Sequence, residues 1–91
     1  MSERVQHQPQ ASRFVVEAGG PPAVLDYQLQ DGRMVITHTN VPEALRGQGV
    51  AAELTRAALA HAQANGLKVT PACSYAASFL QQHGEYAALL G

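Results

Sequence analysis

Apolar and polar positions alternate from Ala23 to Gln30. Ala23, Leu25, Tyr27 and Leu29 share one side, and Asp26, Gln28 and Gln30 the other. That period of two predicts a half-buried strand. Arg13-Phe14-Val15-Val16-Glu17-Ala18 alternates as well and predicts a first strand, closed by the breakers Gly19-Gly20-Pro21-Pro22. Asp31-Gly32 is a strong hairpin signal. The Val-, Ile- and Thr-rich run Arg33 to Val41 predicts a third strand. Its apolar start on both faces predicts a more central place than its predecessor.

The period then changes. Val50, Leu54, Ala57, Ala58 and His61 recur at helical spacing, predicting a helix from Gln48 to Asn65 with one apolar face. Seven alanines between 51 and 64 favour that helix and allow close packing on a sheet. Asn65-Gly66 supplies a left-handed stop. Leu67 to Thr70 reads as a short strand ended by Pro71, so residues 33–70 predict a right-handed crossover with parallel strands. Ser74 suits the N-cap of a helix over 75–83, and a last helical turn is expected at 85–90. Residues 1–12, polar and glutamine-rich around Val5, predict a flexible tail. Residues 13–91 then form one α/β (α+β) domain, order β-β-β-α-β-α, without repeats or an internal linker.

The chain has 91 residues, 46% of them hydrophobic and 14% charged, the composition of one globular domain. Six Lys and Arg against seven Asp and Glu leave a net charge of −1, with no basic face for nucleic acid. No apolar run reaches the length of a membrane span, and no signal peptide opens the sequence. The single cysteine forms no internal disulfide and has no metal-ligand cluster around it. A reducing, cytoplasmic setting is expected, with no metal.

The chemistry concentrates in Val41-Pro42-Glu43-Ala44-Leu45-Arg46-Gly47-Gln48-Gly49-Val50-Ala51, between strand and helix. A glycine-rich turn there frees backbone N–H groups, and the helix start adds its positive dipole end, a combination that holds phosphate or pyrophosphate. Gly47 and Gly49 permit close approach. With Arg46, Gly49 and Ala51 in an R-x-x-G-x-A pattern, this run resembles the acyl-coenzyme A pyrophosphate loop of the GCN5-related N-acetyltransferases. Pro71-Ala72-Cys73-Ser74-Tyr75 further resembles a segment of that superfamily's small, single-domain branch. The likeness covers Phe14 to Leu90 and implies a minimal fold whose mixed sheet splays between residues 33–41 and 67–71.

The resemblance implies acetyl-coenzyme A as cofactor and an amine, small molecule or protein, as acceptor. Backbone groups of Gly47, Gln48, Gly49, Val50 and Ala51 would meet the pyrophosphate, and Arg46 would add charge or fix the loop. The pantetheine arm would run between the splayed strands, past Cys73 and Ser74, with a backbone N–H near Val41 as oxyanion donor. Full-size members insert two helices after the first strand. Only Gly19 to Pro22 stands there, leaving the acceptor side open or completed by a second subunit in a homodimer. Those members also carry an Asn and a Tyr, the Tyr protonating the leaving thiolate. Cys73 and Leu80 occupy those positions.

Cys73 has two functional readings, acceptor of the acetyl group or lining of the thioester pocket, beside a bland one as a small buried hydrophobe. His38 is the candidate general base, because imidazole titrates near neutrality; the alternative is a sheet histidine held beside Thr37 and Thr39. Asp26 and Glu17 could serve instead, but also suit a solvated face. His61 suits packing, His83 a helix C-terminus, and Tyr27 and Tyr75 the core, although either tyrosine hydroxyl could reach the site. Arg46 could instead pair with Glu43 or Glu53, an exposed contact of little value. Three functions follow: an N-acetyltransferase, an acyl-coenzyme A-binding module with little turnover, or a small interaction or oligomerisation domain.

Overall fold

The computed structural model describes residues 4–91, and among them the chain forms one five-stranded sheet with helices packed on one face. Strands β1 (Val5–Gln8), β2 (Arg13–Val16), β3 (Ala23–Gln30) and β4 (Arg33–Asn40) follow one another as antiparallel neighbours. Helix α1 (Val50–Ala64) crosses back, and β5 (Lys68–Pro71) lies parallel to β4. Helix α2 (Ser74–Gln82) and a 3-10 stretch over Gly84–Leu90 complete the chain.

The expected β3–β4 hairpin forms as predicted. Asp31 and Gly32 both take positive φ, +51° and +78°, the backbone that matches the natural twist of the two strands. On the helix side of the sheet, Phe14, Val16, Leu25, Tyr27, Met34, Ile36 and Val69 join one core with Leu54, Ala58 and Leu59 of α1 and Phe79 and Leu80 of α2. Thr55 is buried in α1 without penalty, because its hydroxyl donates to the Ala51 carbonyl at 2.8 Å. The outer edge of β5 is covered by the C-terminal stretch, where Lys68 donates to Ala88 O and Arg33 to Leu90 O, both at 2.9 Å.

Two expectations are corrected at the other edge. The composition of residues 1–12 predicts a tail, yet Val5–Gln8 pairs with β2; residues 1–3 lie outside the described residues. Val5 and His7 lie opposite Val16 and Phe14 and join them on the helix side. The His7 ring stacks flat on Phe14, centroids 4.1 Å apart, and its Nε2 meets the Tyr27 hydroxyl at 2.5 Å. A four-residue strand has only two inward positions, too few for alternation to show among glutamines. Because β1 adds to the sheet, β3 rather than β4 becomes the central strand.

A bulge interrupts the β3–β4 pairing. Tyr27 opposes Ile36 but Asp26 opposes His38, so Thr37 is the extra residue in β4. A bulge bends its strand and sharpens its twist. It lies at the end of the parallel pairing, since Ile36 opposite Pro71 is the last β4–β5 pair.

His7 makes the added strand pH-sensitive. Burial, and then the neighbouring His61, hold its imidazole below the ordinary value of 6.5. Above that value both folded and unfolded chains keep it neutral. As pH falls through it, the unfolded chain takes up the proton first and stability declines. Urea midpoints of the native chain should therefore fall more steeply between pH 7.5 and 5.5 than those of His7→Gln, whereas parallel curves would contradict a half-buried imidazole held neutral.

Candidate functional site

Beyond Ile36 the parallel strands part. The Ile36 carbonyl accepts N–H groups from both Ala72, at 2.9 Å, and Cys73, at 3.1 Å. β4 continues beside β3 to Asn40, while the chain after Pro71 turns into α2. Thr39 Oγ1 and Cys73 Sγ face each other across the opening at 3.6 Å.

Cys73, half-buried, is the N-cap of α2: its extended backbone precedes the helix, and its sulfur accepts the Ala76 N–H at 3.4 Å. The expectation that Ser74 caps the helix is corrected, for Ser74 is its first residue and exposed. The strand end fixes Cys73 through its N–H on Ile36, and that leaves its side chain over the first turn.

The loop before α1 is shaped by its glycines. Gly47 and Gly49 have φ of +81° and +73°, and a Cβ on either would meet nothing within 4 Å. Glycine is therefore required for the left-handed backbone rather than for space. Gly49 is also the N-cap of α1 and offers no side-chain acceptor, so the first-turn N–H groups have no cap. Arg46 Nε donates to the Val41 carbonyl at 3.2 Å, clipping the ends of the loop together. Neither Glu43 nor Glu53 holds Arg46: Glu53 pairs with Arg4, and its carboxylate takes Arg4 contacts at 2.5 and 2.8 Å.

Val41, Arg46, Gly47, Gly49, Val50 and Ala51 line one hollow of about 230 Å³. Gln48 is outside that lining, its side-chain amide turned back to the Ala44 carbonyl at 3.4 Å. Tyr75, expected in the core, is 38% exposed and forms part of the wall. Burial raises its phenol above the ordinary value, with the charge of Arg56 acting against that rise. The helical periodicity does not separate Tyr75 from a core aromatic; of the two tyrosines whose hydroxyls could reach the site, it is Tyr75 that lines the hollow. A second hollow of about 230 Å³ lies between β1 and α1, but Val5, Phe14, Ala57 and Ala64 make its walls largely apolar.

His38 is exposed and opposes Asp26, on the sheet face away from the helices, while Thr39 turns to the helix side. The strand thus aims His38 and the Thr39–Cys73 pair in opposite directions. Asp26 is held by Arg13 Nε at 2.9 Å, and Glu17 is exposed. Tyr27 is the core aromatic expected, and His61 packs edge-on against His7 at 4.5 Å. His83 caps the end of α2 and stacks on Phe79 at 4.1 Å. Among the described residues no cluster could hold a metal ion, and no helix is long and apolar enough to cross a membrane.

Residues 13–89 match the family described as GCN5-related N-acetyl-transferase. The mouse protein named Protein NATD1 is 36% identical over 83 residues, covering 88% of this chain and 76% of its own. Its human counterpart is 35% identical over 83 residues, with 88% and 74% covered. An NMR solution structure of a GCN5-like protein from Staphylococcus aureus superposes with a TM-score of 0.77 at 28% identity, covering 98% of this chain and 89% of that one.

Two stability measurements check this geometry. Gly49→Ala should cost about 1 kcal/mol in urea unfolding, from the left-handed backbone alone. Cys73→Ala should lose the α2 cap, about 0.5–1 kcal/mol, and Cys73→Ser should keep it. Full stability in Gly49→Ala, or equal loss in both Cys73 variants, would contradict the backbone and cap assignments respectively.

Proposed function

The chain belongs to the GCN5-related N-acetyltransferase family, and on that premise we propose that it transfers an acetyl group from acetyl-coenzyme A to a primary amine in a cytoplasmic setting. One observation carries the reading: the left-handed Gly47 and Gly49 lead into the uncapped start of α1, beside the parting of β4 and β5. A pyrophosphate needs N–H donors that no side chain blocks, and this loop offers them. Acetyl-coenzyme A would supply the acetyl group activated as a thioester.

Backbone groups of Gly47, Gln48, Gly49, Val50 and Ala51 would hold the pyrophosphate. Arg46, already fastened to Val41, would keep the loop closed around it and add charge. Cys73 and Ser74 would flank the pantetheine end between the parted strands. The N–H beside Val41 would face the developing oxyanion. His38 faces away from Thr39 and Cys73, so it would take the proton only from an amine that approaches across the open face of the sheet, where the exposed turn Gly19 to Pro22 raises no wall against a bulky acceptor. A second copy of the chain would complete that side if the acceptor is small.

A second reading, an acyl-coenzyme A-binding module with little turnover, is favoured by Leu80. That position is 6% exposed and apolar where larger family members place the tyrosine acid. Turnover separates the two.

Gly49→Glu should abolish binding of acetyl-coenzyme A by calorimetry, since it puts bulk and negative charge into the loop; unchanged affinity would remove the loop assignment. With an active amine acceptor, His38→Gln should lower the rate about 10²-fold while leaving acetyl-coenzyme A binding unchanged. An unchanged rate would exclude His38 as base. Cys73→Ala should leave binding nearly intact. A one-acetyl gain in intact mass, present in the native chain and absent from Cys73→Ala, would mark Cys73 as acceptor; no gain leaves it as pocket lining or packing.

A further inference from the structure

Arg56 stands one helical turn beyond Ala52, which lines the loop hollow, and residues four apart on a helix share a face. It is exposed, and its guanidinium carbon lies 5.5 Å from the centre of the Phe79 ring. Tyr75, whose ring centre is 6.2 Å from that of Phe79, lines the same hollow. Phe79 thus lies between the Arg56 guanidinium and the Tyr75 wall of the hollow, and the Arg56 charge acts on the Tyr75 phenol. Among the described residues, none of the ion pairs involves Arg56, and no carboxylate lines the hollow.

Coenzyme A carries two separate anionic groups on one ribose, the 5′-pyrophosphate and the 3′-phosphate. The loop offers neutral backbone donors suited to the first. The second is met best by a guanidinium, which presents several N–H groups in a fixed plane, where an ammonium acts only as a point charge. Resting on Phe79 restricts the Arg56 side chain, so less freedom is lost when it binds.

We propose that Arg56, resting on Phe79 beside Tyr75, receives the 3′-phosphate of coenzyme A and forms a second phosphate site one ribose away from the Gly47–Ala51 loop. This rests on the acyl-coenzyme A reading above and adds to it a discrimination: the chain selects the 3′-phosphorylated cofactor over its dephosphorylated form.

The test is a cycle of four calorimetric titrations, coenzyme A and 3′-dephospho-coenzyme A into the native chain and into Arg56→Gln. The native chain should prefer coenzyme A by about fivefold to tenfold, the size of an exposed charge-assisted contact. In Arg56→Gln the two ligands should bind alike, with affinity for the dephosphorylated form unchanged within about twofold. Arg56→Lys should restore part of the preference, and added salt should erode it in the native chain. A preference that survives Arg56→Gln, or none in the native chain, would overturn the assignment while leaving the loop reading intact. Absence of binding by both ligands to the native chain would remove the loop reading, and this one with it.

Discussion

The site depends on where two parallel strands stop being paired. The Ile36 carbonyl receives the N–H groups of both Ala72 and Cys73, and beyond it the β4–β5 ladder ends, with Thr39 and Cys73 facing each other across the opening. Thr37 is the cause on one side, an extra residue that bends β4 while it stays paired to β3. Pro71 is the cause on the other, since it brings no N–H to a longer ladder. The opening is built from backbone: an unpaired stretch of two strands can give its N–H and C=O groups to an extended ligand without breaking bonds the fold needs.

The loop uses the same economy of backbone. Helix starts leave donors unsatisfied, and most proteins cover them with Ser, Thr, Asp or Asn. Gly49 leaves those of α1 bare, and its left-handed conformation, shared with Gly47, sets the direction from which they are approached. Arg46 and Gln48 both tie back to carbonyls within residues 41–44, so the loop is fixed by its own side chains before anything binds. Such prior ordering lowers the entropy lost on association. Tyr75 then connects the two features, because α2 begins at the strand opening and reaches the loop hollow within two residues.

Much of this was legible in the residues. The alternation of Ala23–Gln30, the Asp31-Gly32 turn and the alanine-rich stripe place β3, the hairpin and α1 to within two residues, because each pattern is long or chemically specific. The loop glycines were legible for the same reason: few residues tolerate positive φ, and two of them before a helix narrow the conformations. What was hidden is short or tertiary. β1 has four residues and is secured by the His7 stack on Phe14, a tertiary contact that strand propensity does not reveal. Thr37 resembles any β-branched strand residue, and only its lack of a partner makes it a bulge. Tyr75 reads as core until α2 is placed, and Cys73 takes the cap from Ser74 because its N–H is anchored on Ile36.

The central claim is that the Gly47–Ala51 loop and the parting of β4 and β5 form one continuous acyl-coenzyme A cleft. Backbone amide NMR during titration with acetyl-coenzyme A tests it most directly. The account predicts saturable shifts at Gly47, Gly49, Val50 and Ala51 together with Thr39, Val41, Cys73 and Ser74, and none propagating to Val5, His7 or Ala64. Shifts confined to the groove between β1 and α1, or an unchanged spectrum at millimolar ligand, would contradict it.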